Sequence, residues 1–260
     1  MKFGINSALG AGKLRRLRRF IRDDDRSVLV AIDHAAYLGT GPSAQAIEAI
    51  AAGKPDGVLA TWHGARAHAE LFVDAGLVLR VDGGISELGE ASSDDLSDLL
   101  YGAEHAIAIG ADAVITLAFP GSPQEDRSLR RLARLCAECE TLGIPVIAEV
   151  IPGGWARTVE WSPDAIARGA RIAVELGADV IKSVCPERVE EFSVVVESCP
   201  APVVALGGPR MAVDDDVVDF ARAVIQAGAA GIAFGRNVWG SSDPRGLVER
   251  LHEVVHGRST

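Results

Sequence analysis

The chain has 260 residues, a formal net charge of -10 and 48% hydrophobic residues. That is enough for one large α/β domain with a sizeable core, and too acidic for general nucleic-acid binding. No uninterrupted apolar stretch reaches the about 18 residues of a membrane span, and the N-terminal segment lacks the apolar run of a secretory signal, so the expectation is a cytoplasmic protein with no membrane partner.

In chain order, the first feature is Gly10-Ala11-Gly12-Lys13. It is not a phosphate-binding P-loop, because Leu14 stands where Ser or Thr is required and no strand precedes it. From Lys13 onward, Leu14, Leu17 and Phe20 or Ile21 recur at helical spacing, which predicts a short amphipathic helix with a solvated basic face. Short runs rich in Val, Ile, Leu and Ala follow at regular intervals. They predict strands over 28–33, 57–61, 77–82, 113–119, 145–151, 179–183, 202–206 and 231–235. Without apolar–polar alternation, they read as strands of a parallel sheet covered on both faces.

Amphipathic segments lie between and after them, at 43–52, 65–75, 94–109, 124–142, 162–176, 187–197, 214–227 and 244–255. Gly53, Gly76, Gly110, Gly143, Gly177 and Gly228 stand where helices end. Gly110-Ala111-Asp112, Gly177-Ala178-Asp179 and Gly228-Ala229-Ala230 each close a helix and open a strand. This count predicts a single-domain (β/α)8 TIM barrel over residues 1–260, with a short N-terminal helix. A doubly wound open sheet would usually carry a Gly-rich turn after its first strand, and none is present. Cys136 and Cys139 fall within a helical pattern and read as a buried helix face rather than a metal or redox pair; with Cys185 and Cys199 they make no disulfide framework.

A barrel of this kind carries its chemistry where strands end and the following loops begin. Lys182 ends the apolar run Val180-Ile181-Lys182 and is one of only four lysines, the others being Lys2, Lys13 and Lys54. Pressed by apolar neighbours, its amine would fall from about 10.4 toward neutrality and could form a Schiff base with a carbonyl. A salt-bridged lysine or a phosphate counter-ion reads equally from the residues. Asp33 either handles protons beside that amine, holds a substrate hydroxyl, pairs with Lys182, or caps the following turn. His34 is either a substrate contact or a core histidine. Gly207-Gly208 and Gly235-Arg236 end the last two strands, the recurrent phosphate position of such barrels, with Arg236 adding a charge.

Four segments make the pattern specific. Ala31-Ile32-Asp33-His34-Ala35, Gly177-Ala178-Asp179-Val180-Ile181-Lys182, Ala205-Leu206-Gly207-Gly208-Pro209-Arg210 and 229–239 resemble the archaeal-type class I fructose-bisphosphate aldolases and aminodideoxyheptulosonate synthases of the DeoC/FbaB aldolase family. Phe119-Pro120-Gly121-Ser122 resembles that family's turn after strand four. The resemblance implies a Schiff-base aldolase acting on a sugar phosphate, working as a homo-oligomer with neither metal nor cofactor. It implies that Lys182 is the covalent lysine, Asp33 its neighbour, and Gly207, Gly208, Gly235 and Arg236 the phosphate site.

The fifth strand departs from the family. It ends Glu149-Val150-Ile151-Pro152-Gly153, with Ile151 where the family carries a tyrosine acid. Glu149 and Tyr37 are the candidate replacements, and Glu149 reads equally as a structural partner of Arg80 or Lys182. Asp82, in the unusual Asp82-Gly83-Gly84 that ends strand three, is a candidate substrate contact. Two other readings share the barrel. One is a non-catalytic phosphosugar-binding protein, the other a thiolase-like acyltransferase of the same family.

Overall fold

The short apolar runs form strands buried on both faces. In the computed structural model, which describes residues 9–84, 86, 88 and 98–257, they are the eight staves of a closed parallel barrel. Helix α1 (Ala11–Leu17) leads into β1 (Ser27–Ala31), α2 (Ala35–Leu38), α3 (Ala44–Ala52), β2 (Gly57–Ala60), α4 (Trp62–Ala67) and β3 (Gly76–Arg80). A two-stranded ribbon of β4 (Asp82–Gly83) and β5 (Asp98–Leu99) interrupts the regular order. Then come α5 (Ala103–Ile109), β6 (Ala113–Ala118), α6 (Glu125–Leu142), β7 (Val146–Val150), α7 (Pro163–Glu175) and β8 (Val180–Ser183). The chain ends with α8 (Phe192–Ser198), β9 (Val203–Leu206), α9 (Asp214–Gln226), β10 (Gly231–Phe234), α10 (Arg236–Trp239) and α11 (Pro244–His256). Going round the barrel, the strands run β1-β10-β9-β8-β7-β6-β3-β2, the order of a (β/α)8 TIM barrel.

Several helices differ from the sequence expectation. The helix expected over 65–75 starts earlier, because the Thr61 side chain caps it by accepting from Gly64 N at 3.0 Å, and it stops at Ala67. The one expected over 94–109 shortens to α5; residues 94–97 lie outside the described residues, and Asp98–Leu99 pair as a strand. The helix expected over 187–197 splits into a 3-10 turn at Val189–Glu191 and α8. Helices α2 and α10 are single turns with no periodic pattern to announce them.

The N-terminal helix has the expected two faces: Arg15 and Arg19 are exposed and the apolar positions are covered. Leu17, Phe20 and Ile21 are buried, packing in one cluster with Leu29, Leu59, Val78, Ile115, Ile147 and Val204 from inside the barrel. They plug its lower end, the end where the strands begin. Gly76 makes room for them: a Cβ there would come within 2.7 Å of Phe20 Cβ. Lys13, read as a surface residue, is 3% exposed and pairs with Asp179 at 3.0 Å and Glu140 at 2.5 Å. An ammonium tied to a buried carboxylate tolerates burial that an unpaired one would not.

The Gly-Ala-Asp phrases acquire a physical meaning at that same end. Asp112 Oδ2 accepts from Leu77 N at 2.9 Å, and Asp179 Oδ2 from Val146 N at 2.8 Å. Asp56 does the same for Val28 N at 2.7 Å. In each case the carboxylate leading into one strand satisfies an N–H at the start of the strand beside it, a donor that would otherwise be orphaned at the barrel floor. Cys136 and Cys139 face inward from α6, as expected, and burial pushes both thiols up to about 12, so they stay protonated. No helix among the described residues is long and apolar enough to cross a membrane.

Truncating the plug removes a fully buried ring. Phe20→Ala should lower stability by about 3–5 kcal/mol in equilibrium urea unfolding, with the opposite, upper rim left intact.

Candidate active site

Strand alternation decides which side chains meet inside the barrel. In the parallel ladder Glu149 on β7 is in register with Lys182 on β8, so their side chains emerge together on the interior face. Arg80 ends β3, and Asp33 follows β1 by two residues. All four are between 4% and 5% exposed. They meet at the end where the strands finish, the catalytic end of such barrels.

Lys182 is salt-bridged, one of the alternatives open to it from sequence, with Glu149 as its partner: Lys182 Nζ lies 2.9 Å from Glu149 Oε1. The other Glu149 oxygen accepts from Arg80 Nη2. Arg80 then donates from Nε to Asp33 Oδ2 at 2.9 Å and from Nη1 to Asp82 Oδ1 at 3.2 Å. One guanidinium therefore joins the ends of three strands. Asp33 finds its ion pair in Arg80, where the sequence alternatives had named Lys182 as the partner.

Asp82 has no oxygen to spare. Its Oδ2 accepts from Thr116 Oγ1 at 3.1 Å, Leu117 N at 2.8 Å and Arg131 Nη2 at 3.1 Å. Buried and saturated in this way, it anchors Arg80 rather than reaching a substrate, which corrects its reading as a substrate contact. Three carboxylates (Asp33, Asp82, Glu149) face three cations (Lys182, Arg80, Arg131), so the buried charge balances.

These partners set the protonation states. Burial alone would raise Glu149, but Lys182 and Arg80 override it and hold the carboxyl down at about 2. Tyr37, carried in by α2, donates from its phenol to Asp82 O at 3.3 Å, and Arg80 lies 6.0 Å from its ring centroid. Burial pushes that phenol well above its usual value, with Arg80 opposing only in part, so it keeps its proton. His34 is pulled below its ordinary value, first by burial and then by Lys182 and Arg236, against the opposing pull of Asp33. Its Nδ1 is buried 3.5 Å from Asp33 Oδ1, too poorly aligned for a hydrogen bond.

The loops after β9 and β10 complete the rim. Gly208 adopts a left-handed φ of 63° with open space around it. Gly235 is a glycine for a packing reason: a Cβ there would lie 2.3 Å from His34 Cε1. Arg236 is exposed and makes no ion pair among the described residues. Asn237 is 5% exposed and clamps one loop to the other, donating to Gly207 O at 2.7 Å and Pro209 O at 3.2 Å while accepting from Met211 N at 2.8 Å. Ile151, in the position of the missing tyrosine, is buried; its N–H extends the pairing of β7 with β6 by donating to Ala118 O, and its carbonyl accepts from Gly154 N in the turn that follows.

With this geometry in hand, comparison with known proteins is informative. Residues 27–241 match the sequence profile of the DeoC/LacD family aldolases. The chain belongs to that family. It is 31% identical over 250 residues to the 2-amino-3,7-dideoxy-D-threo-hept-6-ulosonate synthase 1 of Archaeoglobus fulgidus, covering 95% of this chain and 92% of the relative. A second relative, the 2-amino-4,5-dihydroxy-6-oxo-7-(phosphonooxy)heptanoate synthase of Streptomyces griseus, is 27% identical over 258 residues, covering 96% and 92%. Among solved structures, an archaeal fructose-1,6-bisphosphate aldolase with its catalytic Lys covalently bound to the carbinolamine intermediate superposes with a TM-score of 0.78. It is 27% identical, with 94% of this chain and 100% of that one covered.

Within this DeoC/LacD-family site, sequence reasoning missed two residues. Arg80 was named only as a partner for Glu149, yet it also binds Asp33 and Asp82; the signal was an arginine at the end of an apolar strand. Asn237 lay inside a quoted motif, but its clamp spans two loops and has no local signature.

Glu149 also predicts an acid response. Its folded value lies below the ordinary 4.5, so its stabilisation is present above about 4.5 and is lost as pH falls toward about 2. Over that window Glu149→Gln should flatten the pH dependence of unfolding free energy by up to about 1.4 kcal/mol per pH unit, the value of one proton. Urea titrations at a series of pH values would measure it.

Proposed function

We propose that this aldolase forms a Schiff base through Lys182 with the ketone of a dihydroxyacetone-phosphate-type substrate, and makes a carbon–carbon bond to an aldehyde in a specialised biosynthetic pathway. The observation that carries the proposal is the interior Lys182 amine, buried at the catalytic mouth and 2.9 Å from a carboxylate. The names of the two curated relatives, both synthases of amino-substituted heptulosonate-type products, support the synthetic direction and a phosphorylated substrate. Loss of the tyrosine at Ile151 supports a reaction distinct from fructose-bisphosphate cleavage.

In this reading the Lys182 ammonium first gives its proton to Glu149. The free amine adds to the ketone carbon, the carbonyl oxygen is protonated, and water leaves to form the iminium. Glu149 is suited to this traffic because Lys182 is one of the two cations that depress it. Whenever Lys182 passes through a neutral amine or carbinolamine, that hold weakens and the carboxylate becomes the better base. Glu149, its proton passed to the departing water, takes one from the carbon next to the iminium; the enamine so formed attacks the aldehyde carbon, and water hydrolyses the regenerated iminium to free the product and Lys182. Tyr37 keeps its proton and serves as acid to the developing alkoxide, in place of the missing family tyrosine. Asp33, oriented by Arg80, holds a substrate hydroxyl, with His34 beside it.

Gly207, Gly208, Gly235 and Arg236 hold the phosphate, the glycines through bare backbone N–H groups and Arg236 through its unpaired charge. The same reading takes residues 1–260 as one cytoplasmic domain, the expectation from the sequence itself, and has it work as a homo-oligomer, as the family resemblance implies. Its partner is a small sugar phosphate and not nucleic acid.

The test is aldol synthesis and cleavage with dihydroxyacetone phosphate and a panel of aldehydes, including amino-aldehydes. Lys182→Met should be inactive. Glu149→Gln and Tyr37→Phe should each lower kcat by about 100-fold or more, and Arg236→Gln should raise KM for the phosphorylated ketone with a smaller effect on kcat. Full turnover by Lys182→Met would exclude the proposal.

A further inference from the structure

A cavity of about 810 Å3 lies at the opposite end of the barrel from Lys182, open to solvent. Two histidines and a carboxylate converge on it. His252 and His256 stand four residues apart on α11, so one turn of helix presents both rings on the same face. The rings lie 4.3 Å apart, centroid to centroid. They face Asp56, which precedes β2 and has no exposed surface. His256 Nε2 is 2.8 Å from Asp56 Oδ2, and His252 Nε2 is 3.6 Å from Asp56 Oδ1. One donor atom from each residue lies within 4.8 Å of the other two. Behind the cluster, His256 Nδ1 is 2.7 Å from Asp24 Oδ2.

We infer that His252, His256 and Asp56 form a site for one divalent transition-metal ion of the zinc type, tying the C-terminal helix to the floor of the barrel. Two imidazole nitrogens and one carboxylate oxygen suit zinc, and exclude the all-oxygen preference of calcium or magnesium. Tetrahedral zinc with bonds near 2.0–2.1 Å holds its donors about 3.3 Å apart, so the present separations need only small side-chain rotations. Asp24 supplies the outer partner that metal-bound histidines usually have, accepting from His256 Nδ1, and the ion replaces the proton that Nε2 shares with Asp56 Oδ2. The open cavity admits water to the fourth position.

Asp56 has other contacts, and they fit this reading. Val28 N donates to Oδ2 at 2.7 Å and orients the carboxylate. Arg22 Nε donates to Oδ1 at 2.5 Å, but Arg22 is 42% exposed and can turn out into solvent as the ion enters. The Arg22 and Val28 bonds account for a buried carboxylate. They do not account for two imidazoles aimed at it from one helix face. The site is also separate from the aldol machinery, which lies at the far end of the strands, so its contribution is to stability.

The test titrates the purified full chain, without an affinity tag, with Co2+ followed by visible absorption, and then displaces Co2+ with Zn2+. One Co2+ per chain is expected, with tetrahedral d–d absorption and no thiolate charge-transfer band. Asp24→Asn should weaken binding by about 10- to 100-fold, and His252→Gln and His256→Gln by more. Zn2+ should raise the melting temperature of the wild type and leave that of His252→Gln unmoved. His252→Gln should match the metal-free wild type in urea midpoint, which separates a lost ligand from a damaged fold. Absence of saturable uptake, unchanged affinity in His252→Gln, or a thiolate band pointing to Cys136 and Cys139 would each overturn the inference.

Discussion

One guanidinium organises the active end of this barrel. Arg80 donates to Asp33, Asp82 and Glu149, which stand at or just past the ends of different strands, and Glu149 in turn holds Lys182. Such a network is costly to bury unless every member is paired, and here each carboxylate finds a cation. Conformational precision follows from that constraint. Lys182 and Glu149 are kept on adjacent staves by their partners, and the Tyr37 ring lies 6.0 Å from the Arg80 guanidinium with its phenol directed to the backbone of Asp82.

The two ends of the barrel divide their labour. At the floor, the Phe20 plug, the buried Lys13–Asp179 pair and the carboxylates that satisfy neighbouring strand starts all act on stability. At the mouth, short and irregular pieces interrupt the regular βα rhythm: the single turns α2 and α10 and the β4–β5 ribbon. They bring in Tyr37, Asn237 and Asp82. Regular elements set the frame, and these exceptions carry the polar groups that shape the site.

The staves were legible because strands covered on both faces leave continuous apolar runs, and most helices because glycine marks their ends. Candidate site residues were legible where a polar group ended such a run, as with Lys182, Asp33 and Glu149. What was not legible depends on closure of the barrel. Nothing near Lys182 in sequence reveals that Glu149, thirty-three positions earlier, sits beside it in register, and so the choice between a salt-bridged amine and one pressed by apolar neighbours stayed open. Lys13 was misread for the same reason, since its carboxylate Asp179 is 166 positions away. Asp82 read as a substrate contact because its four donors come from two distant segments, β6 and α6, and from Arg80.

The central claim is that the Lys182 nitrogen becomes covalently bonded to a substrate carbon. Its most direct measurement is borohydride reduction of the protein in the presence of dihydroxyacetone phosphate, followed by peptide mass mapping. The account predicts one reduced adduct, located on the peptide that contains Lys182 and absent without the ketone. An adduct on Lys13 or Lys54, or unmodified protein under conditions of measurable aldol turnover, would contradict it.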